Sequence, residues 1–172
     1  SMILAAVFQI EFMGLMAQMR SAAGMIVSAN VVMARQALVG ALQQACDVLS
    51  PAPGSRGPTL TVAHNYDPES RQPLVSGLPA ELSHFCVDEE KRRLFLYRGP
   101  VTATFGNCGS PPGQGVERVL VAGGDNFRIT ADFTRPPSAN NLVAADFTVS
   151  LQHASLTTAN TVTRHLEVGF RH

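Results

Sequence analysis

The first fifty residues contain no proline, and this absence constrains the fold more than any other feature. All eleven prolines lie at or beyond Pro51, whereas all six methionines lie before it. An uninterrupted apolar stretch of this kind predicts one helix from Met2 to Leu49. At 1.5 Å per residue, that helix would be roughly 70 Å long, about twice the width of a domain of this size. Part of it must therefore project from the domain.

The second half of the predicted helix is amphipathic. Apolar residues recur there three and four positions apart, which predicts one face packed on a core. They are Val27, Val31, Ala34, Leu38, Ala41, Leu42, Ala45, Val48 and Leu49. The other face carries Asn30, Arg35, Gln36, Gln43, Gln44 and Asp47.

The first half of the helix is apolar on nearly every side, which predicts burial in lipid, in a large core or against other chains. Its principal apolar residues are Ile3, Leu4, Val7, Phe8, Ile10, Phe12, Met13, Leu15 and Met16. Glu11 and Arg20 keep the run shorter than the ~18 uncharged residues of an independent membrane span. We therefore interpret it as the end of such a span. We expect that Ser1 lies inside the mature helix and that any targeting segment has been removed or left out.

The rest of the chain predicts antiparallel strands. Residues 50–58 hold three prolines and two glycines, which end the helix. Strands are predicted at 59–64, 82–87, 93–97, 101–105, 116–121, 126–133, 142–152 and 162–170. We expect hairpins around 88–91, around the Gly-Gly-Asp turn at 122–125, and between the last two strands, with an irregular connection at 65–79. The prediction is an α+β fold in which the helix of residues 1–50 packs by its second half on an antiparallel sheet of residues 51–172.

Composition narrows the class of partner. The chain has thirteen basic and thirteen acidic residues, and this zero net charge argues against nucleic acid, whose binding needs a basic excess. Charged residues make up 15% of the sequence, against a typical ~25%. Low charge fits either a surface covered by neighbouring chains or an ordinary neutral domain.

Three cysteines are present, without the spacing of a zinc site. If the globular part lies outside the cytoplasm, one disulfide and one free thiol are expected. Cys86 and Cys108 are the favoured pair because both fall in the predicted sheet region. Cys46, on the predicted last turns of the helix, is then a small buried apolar residue. Pairing of Cys46 with Cys86 is the alternative.

No string in the sequence predicts catalysis, a metal site or a cofactor. The surroundings of Cys108 resemble those of a protease nucleophile, but Pro111 and Pro112 prevent the helix that would activate the thiol. The five histidines lack metal-ligand spacing and are expected on the surface or on strand faces. The adjacent acids at 88–90 fit a solvated turn better than a calcium site. We expect a protein that is not an enzyme and has no small-molecule substrate.

At the level of the whole chain, the pattern resembles a type IV pilin. The stretches Leu-Val-Ala-Gly-Gly-Asp-Asn-Phe-Arg-Ile (120–129), Val-Asp-Glu-Glu-Lys-Arg-Arg-Leu-Phe-Leu-Tyr-Arg (87–98) and Thr-Arg-His-Leu-Glu-Val-Gly-Phe-Arg (163–171) are similar to the PilW-like minor pilins and the J-type pseudopilins of type II secretion. The family's processing site followed by Phe and Glu is not seen. Val7 to Glu11 match it only superficially, because Gln18 and Arg20 would then lie inside the membrane.

The resemblance implies a structural subunit that waits in the bacterial inner membrane with its globular part in the periplasm. It would then join a surface pilus through helix–helix contacts with major and minor pilins. Glu11 would be a solvated residue or a contact between subunits. A pseudopilin of type II secretion is the alternative within the class. A membrane-anchored extracytoplasmic module that binds a ligand is the alternative from another class.

Overall fold

A computed structural model describes residues 2–105, 108, 116–121, 127–137, 142–151 and 160–169. Within them a single helix, α1 (Met2–Gln43), precedes nine strands. The strands are β1 (Asp47–Ser50), β2 (Arg56–Gly57), β3 (Thr59–His64), β4 (Glu81–Asp88), β5 (Arg93–Pro100), β6 (Val116–Val121), β7 (Phe127–Thr134), β8 (Leu142–Leu151) and β9 (Asn160–Gly169). The α+β arrangement of one long apolar helix packed on antiparallel sheet is confirmed.

The helix ends at Gln43, six residues before the predicted end at Leu49. Residues 47–50 form β1 instead, which pairs with β3 in the register Asp47 to Ala63. A strand directs successive side chains to opposite faces. Val48 is therefore buried, while Leu49, predicted to lie on the buried stripe, is 42% exposed.

The strands form two sheets rather than one. Sheet A has the order β1-β3-β4-β5-β6 and sheet B the order β2-β7-β8-β9, with every described pair antiparallel. The predicted hairpin between β6 and β7 is wrong, because β6 pairs with β5 whereas β7 pairs with β8 and β2. The Gly-Gly-Asp turn itself lies outside the described residues, but the strands that flank it belong to different sheets.

Of the other predicted strands, most are present in the structure and one is absent. The structure contains β3, the β4–β5 hairpin and the β8–β9 hairpin where they were predicted. The connection at 65–79 is irregular apart from one bridge between Asp67 and Gln72. The strand predicted at 101–105 is absent. After Pro100 the chain instead turns across the outer face of sheet A, where the Phe105 ring stacks on His84 with centroids 4.7 Å apart.

The main core lies between the helix and the two sheets. Eight of the nine predicted stripe residues are buried, all except Leu49. They pack with residues from both sheets, such as Leu60, Phe85 and Phe133. A smaller cluster on the other face of sheet A contains Cys86, Phe95 and Tyr97 under Phe105 and Cys108. One face of the helix is thus buried against the sheets of its own domain.

Candidate functional site: an exposed apolar seam on the helix

The helix projects beyond the domain at its N-terminal end. Ala23 is the first buried residue among the described side chains of α1. From Glu11 to Ala22, only Met16 and Met19 are even half-buried. These twelve residues span about 18 Å of helix that the domain does not cover.

Large apolar side chains are exposed along both the projecting and the packed parts of α1. In the described portion they are Phe12, Met13, Leu15, Met25, Ile26, Val32 and Met33, each between 48% and 70% exposed. Full burial of such a side chain stabilises by about 1.5–3 kcal/mol, so covering the exposed half of each contributes on the order of 1 kcal/mol. Covering all seven side chains would therefore contribute several kilocalories per mole to the free energy of binding a partner.

These exposed residues include a regular seam. Apolar side chains recur with alternating spacings of three and four over 22 residues, at Phe12, Leu15, Met19, Ala22, Ile26, Ala29 and Met33. Met19 is half-buried and the other six are exposed. We call this set the helix seam. It lies roughly 110° around the helix from the buried stripe, and its 3.5-residue period over three heptads is the pattern of packing against a second helix.

The helix is polar on the flank opposite the seam. Ser21, Ser28 and Arg35 lie there, seven residues apart and all exposed. Met25 and Val32, which are also exposed, lie between this flank and the helix seam, so the polar residues occupy only part of the exposed surface of the helix.

The predicted assembly residues fall in three places. Phe12 and Leu15 belong to the helix seam. Met13 and Met16 extend the side of the buried stripe beyond the domain, where Met13 is 70% exposed. Ile3, Leu4, Val7, Phe8 and Ile10 lie in α1, but their side chains are outside the described part of the structure.

Four residues of the helix seam were not predicted from the sequence: Ala22, Ile26, Ala29 and Met33. The signal was available in the three-and-four spacing that continues from Phe12. It was hidden because two apolar stripes on one helix together look uniformly apolar. Glu11, the candidate contact between subunits, is exposed immediately before the seam begins.

By length and composition, α1 meets the requirement for crossing a membrane. The segment Glu11–Gln43 contains an 18-residue window with a mean hydropathy of 1.5, and a third of that window is buried inside the domain. Core helices of soluble proteins and signal sequences meet the same requirement.

A disulfide joins Cys86 of β4 to Cys108, the pair favoured by the sequence. Cys46 is free, which excludes its pairing with Cys86. Its placement differs from the prediction, because it follows the helix end and is only half-buried. The Cys46 Sγ lies 3.1 Å from Ala63 O and 3.3 Å from Tyr66 N. It thus contributes polar contacts as well as packing.

His64 and Ser83 form a contact that the sequence did not reveal. His64 Nδ1 lies 3.1 Å from the carbonyl oxygen of Gln44, which can only accept, so Nδ1 carries the proton. Nε2 then accepts from the Ser83 hydroxyl at 2.8 Å. Such a pair can activate a nucleophile, but Ser83 is fully buried and beyond the reach of a substrate. The pair instead satisfies a carbonyl just beyond the helix end. Burial lowers the pKa of His64 and favours its neutral form.

The other described histidines also have structural partners. His84 is buried, and its Nδ1 lies 2.8 Å from Thr61 Oγ1. Burial lowers its pKa. His165 is exposed on β9, and hydrogen bonds to Asp146 and then Glu167 raise its pKa. Among the described residues, no three His, Cys, Asp or Glu side chains are arranged to hold a metal ion. His153 and His172 lie outside the described residues.

Comparison of the chain with protein-family models, with curated proteins and with solved structures finds no match.

Proposed function

We propose that this protein is a structural subunit of a type IV pilus, a minor pilin of the PilW-like kind, and that it assembles through α1. The helix seam is the observation that carries the proposal. A surface of 22 residues with a coiled-coil period, in which six of the seven apolar side chains are exposed, supports packing against another apolar helix. The partners are the equivalent helices of major and minor pilins.

The helix has a different environment before and after assembly into the filament. Before assembly, the projecting part sits in the inner membrane and the disulfide-bonded globular part lies in the periplasm, where disulfides persist. On assembly, the apolar surface passes from lipid to a bundle of helices and remains out of water. No catalytic step is needed, so the proposed protein is a filament subunit rather than an enzyme.

A minor pseudopilin of type II secretion needs the same helix and is the alternative within this class. Recovery of the chain in sheared surface pili favours the pilus, whereas recovery only with the secretion apparatus favours the pseudopilus. A membrane-anchored ligand-binding module is the second candidate. One observation favours it, a cleft of about 320 Å³ lined by Arg92 and Arg128 on the globular part.

Four substitutions test the filament role with closely matched controls. Ala22→Glu and Ala29→Glu place a carboxylate on the helix seam, whereas Ser21→Glu and Ser28→Glu place it one residue away, about 100° around the helix. All four positions are exposed in the isolated chain. Each pair sits at nearly the same depth along the helix, so membrane insertion is affected equally.

The expected readout is the amount of protein in the sheared filament fraction. Seam carboxylates should exclude the chain from filaments, because an unpaired charge buried between helices costs several kilocalories per mole. The serine substitutions should be incorporated at near wild-type levels. Equal incorporation of all four variants would reject assembly through the seam.

A further inference from the structure

The connection between β3 and β4 displays three large apolar side chains. Leu74, Val75 and Leu78 are 58%, 53% and 57% exposed. They belong to a loop that begins beside the C-terminal end of α1, where His64 contacts Gln44 O. Scattered exposed apolar side chains are ordinary, whereas a group this close together indicates a contact surface. We call these three residues the apolar knob.

The apolar knob is ordered by the side chain of Asn65. The Asn65 Oδ1 accepts from the Val75 N–H at 2.6 Å, and its Nδ2 donates to Leu78 O at 2.9 Å. The Leu78 N–H donates to Val75 O at 3.3 Å across a turn in which Gly77 has a φ of +86°, a left-handed conformation that glycine adopts readily. Because these backbone groups are satisfied inside the loop, the knob offers a partner its side chains. A loop that is already ordered loses little entropy on binding.

A groove that could receive such side chains lies on α1. Its volume is about 290 Å³, and its described lining consists of Val32, Arg35, Gln36, Val39, Gly40 and Gln43. Val32 is 48% exposed, whereas Val39 and Gly40 are half-buried. None of the six lining residues belongs to the helix seam. The groove therefore combines apolar residues with a polar rim on a separate part of the helix surface.

The loop and the groove are also complementary in charge. The loop carries Asp67, Glu69 and Arg71, and the groove carries Arg35. The Asp67 carboxylate is engaged within the loop, because it accepts from Ser70 Oγ at 2.6 Å and from Glu69 N at 3.0 Å. Within the described part of the chain, neither the exposed Glu69 carboxylate nor the exposed Arg35 guanidinium has an ion-pair partner. A guanidinium group is well suited to bind a carboxylate.

We propose that the apolar knob of one copy of this chain inserts into the groove on α1 of a second copy, with Glu69 of the first beside Arg35 of the second. The knob and the groove are different surfaces of one chain, so the contact is heterologous and builds open chains or rings of copies. Three side chains bury less area than the ~800 Å² per partner of a stable complex, so the contact needs a high local concentration of chains. The inference concerns surfaces outside the helix seam and does not depend on the filament role.

The first test crosslinks two populations of the full chain in concentrated detergent micelles, both with Cys46→Ser. One population carries Val75→Cys on the knob and the other carries Gln36→Cys at the groove, and a short bismaleimide joins thiols that come close. The mixture should give crosslinked dimers well above the level within either population. In the matched control, Thr163→Cys, exposed on β9, replaces Gln36→Cys. Knob–groove crosslinking no greater than knob–β9 crosslinking, or crosslinking within the knob population that equals the mixture, would overturn the proposal.

The second test exchanges the two charges in the same crosslinking assay. Glu69→Arg and Arg35→Glu should each lower the crosslinked fraction by about threefold or more, because each places like charges together at the contact. Both substitutions in one chain should restore most of the crosslinking, since the pair forms again with its signs exchanged. Glu90→Arg with Arg35→Glu is the matched control of equal net charge and should restore none, because Glu90 lies on the exposed β4–β5 turn. A double exchange that crosslinks no better than either single variant, or equal restoration by Glu90→Arg, would refute the pairing.

Discussion

Removal of the Arg135 side chain should cost far more stability than removal of an exposed arginine whose ion pair is shorter. Arg135 is 8% exposed, and its guanidinium donates to Val48 O and lies 3.7 Å from Asp47 Oδ1. It therefore connects the end of β7 in sheet B to β1 in sheet A. Arg56 and Asp132 are closer, at 2.7 Å, but their side chains are 61% and 42% exposed.

The magnitude follows from the contacts. A charge-assisted hydrogen bond to a buried carbonyl contributes about 1.5–3 kcal/mol, and the partly buried ion pair adds up to ~1 kcal/mol. Arg135→Ala should thus lower the free energy of unfolding by about 3 kcal/mol, since it also leaves Val48 O and Asp47 without this partner. Arg56→Ala should lower it much less, because water replaces an exposed pair.

The assay is urea unfolding of the full chain in detergent micelles, followed by circular dichroism. Arg135→Ala should shift the midpoint clearly to lower urea at an unchanged slope. If Arg56→Ala lowers the free energy of unfolding as much as Arg135→Ala or more, the distance between the charges outweighs their burial, which contradicts this prediction.

Four further predictions concern two pH dependences, the disulfide and the core. The pKa of His165 is raised in the folded state. Its contribution to the stability of the fold is therefore complete below the unfolded pKa of about 6.5 and is lost as the pH rises through the folded pKa. His165→Asn should remove this loss from a profile of melting temperature against pH. The pKa of His64 is lowered in the folded state. Its contribution to the stability of the fold is therefore present above about pH 6.5 and is lost as the pH falls through the folded pKa. His64→Gln should make the melting temperature decline less steeply on the acid side of the same profile. Replacing Cys86 and Cys108, which are 22 residues apart, with serine should cost about 3 kcal/mol in denaturant unfolding. Leu38→Ala, at a fully buried position, should cost about 2–5 kcal/mol in the same assay.

Each of these predictions has a contradicting result. A His165→Asn profile parallel to wild type would show that its carboxylate contacts do not form in solution. A steeper acid decline for His64→Gln would reverse the inferred sign. If a reductant destabilises the double-serine variant as much as the wild-type protein, the effect of the reductant does not come from breaking the Cys86–Cys108 disulfide. A cost below ~1 kcal/mol for Leu38→Ala would place that face of the helix outside the core.

The sequence predicted those elements whose signal is local. The buried stripe from Val27 to Val48 followed from spacing, and the β4–β5 hairpin from a charged turn between alternating strands. The helix end was misplaced because Val48 and Leu49 fit the helical period as well as a strand. Pairing with β3 decided the outcome, and such pairing is non-local.

The partition into two sheets could not be predicted from turns. The Gly-Gly-Asp turn between β6 and β7 has hairpin chemistry, yet β6 found its partner in β5 and β7 in β8. The Ser83–His64 contact joins residues 19 apart on neighbouring strands, and only the register brings them together.

Position-specific crosslinking of α1 in intact cell envelopes tests directly whether the helix seam is an assembly surface. Single cysteines replace Ala22 and Ala29 on the helix seam, or Ser21 and Ser28 on the polar flank, in a Cys46→Ser background. If chains assemble through the seam, the two seam positions should crosslink to an apolar helix of another pilin-like chain, and the serine positions should give few crosslinks or none. If all four positions react only with lipid probes while filaments are being made, the seam is not an assembly surface and the filament role fails.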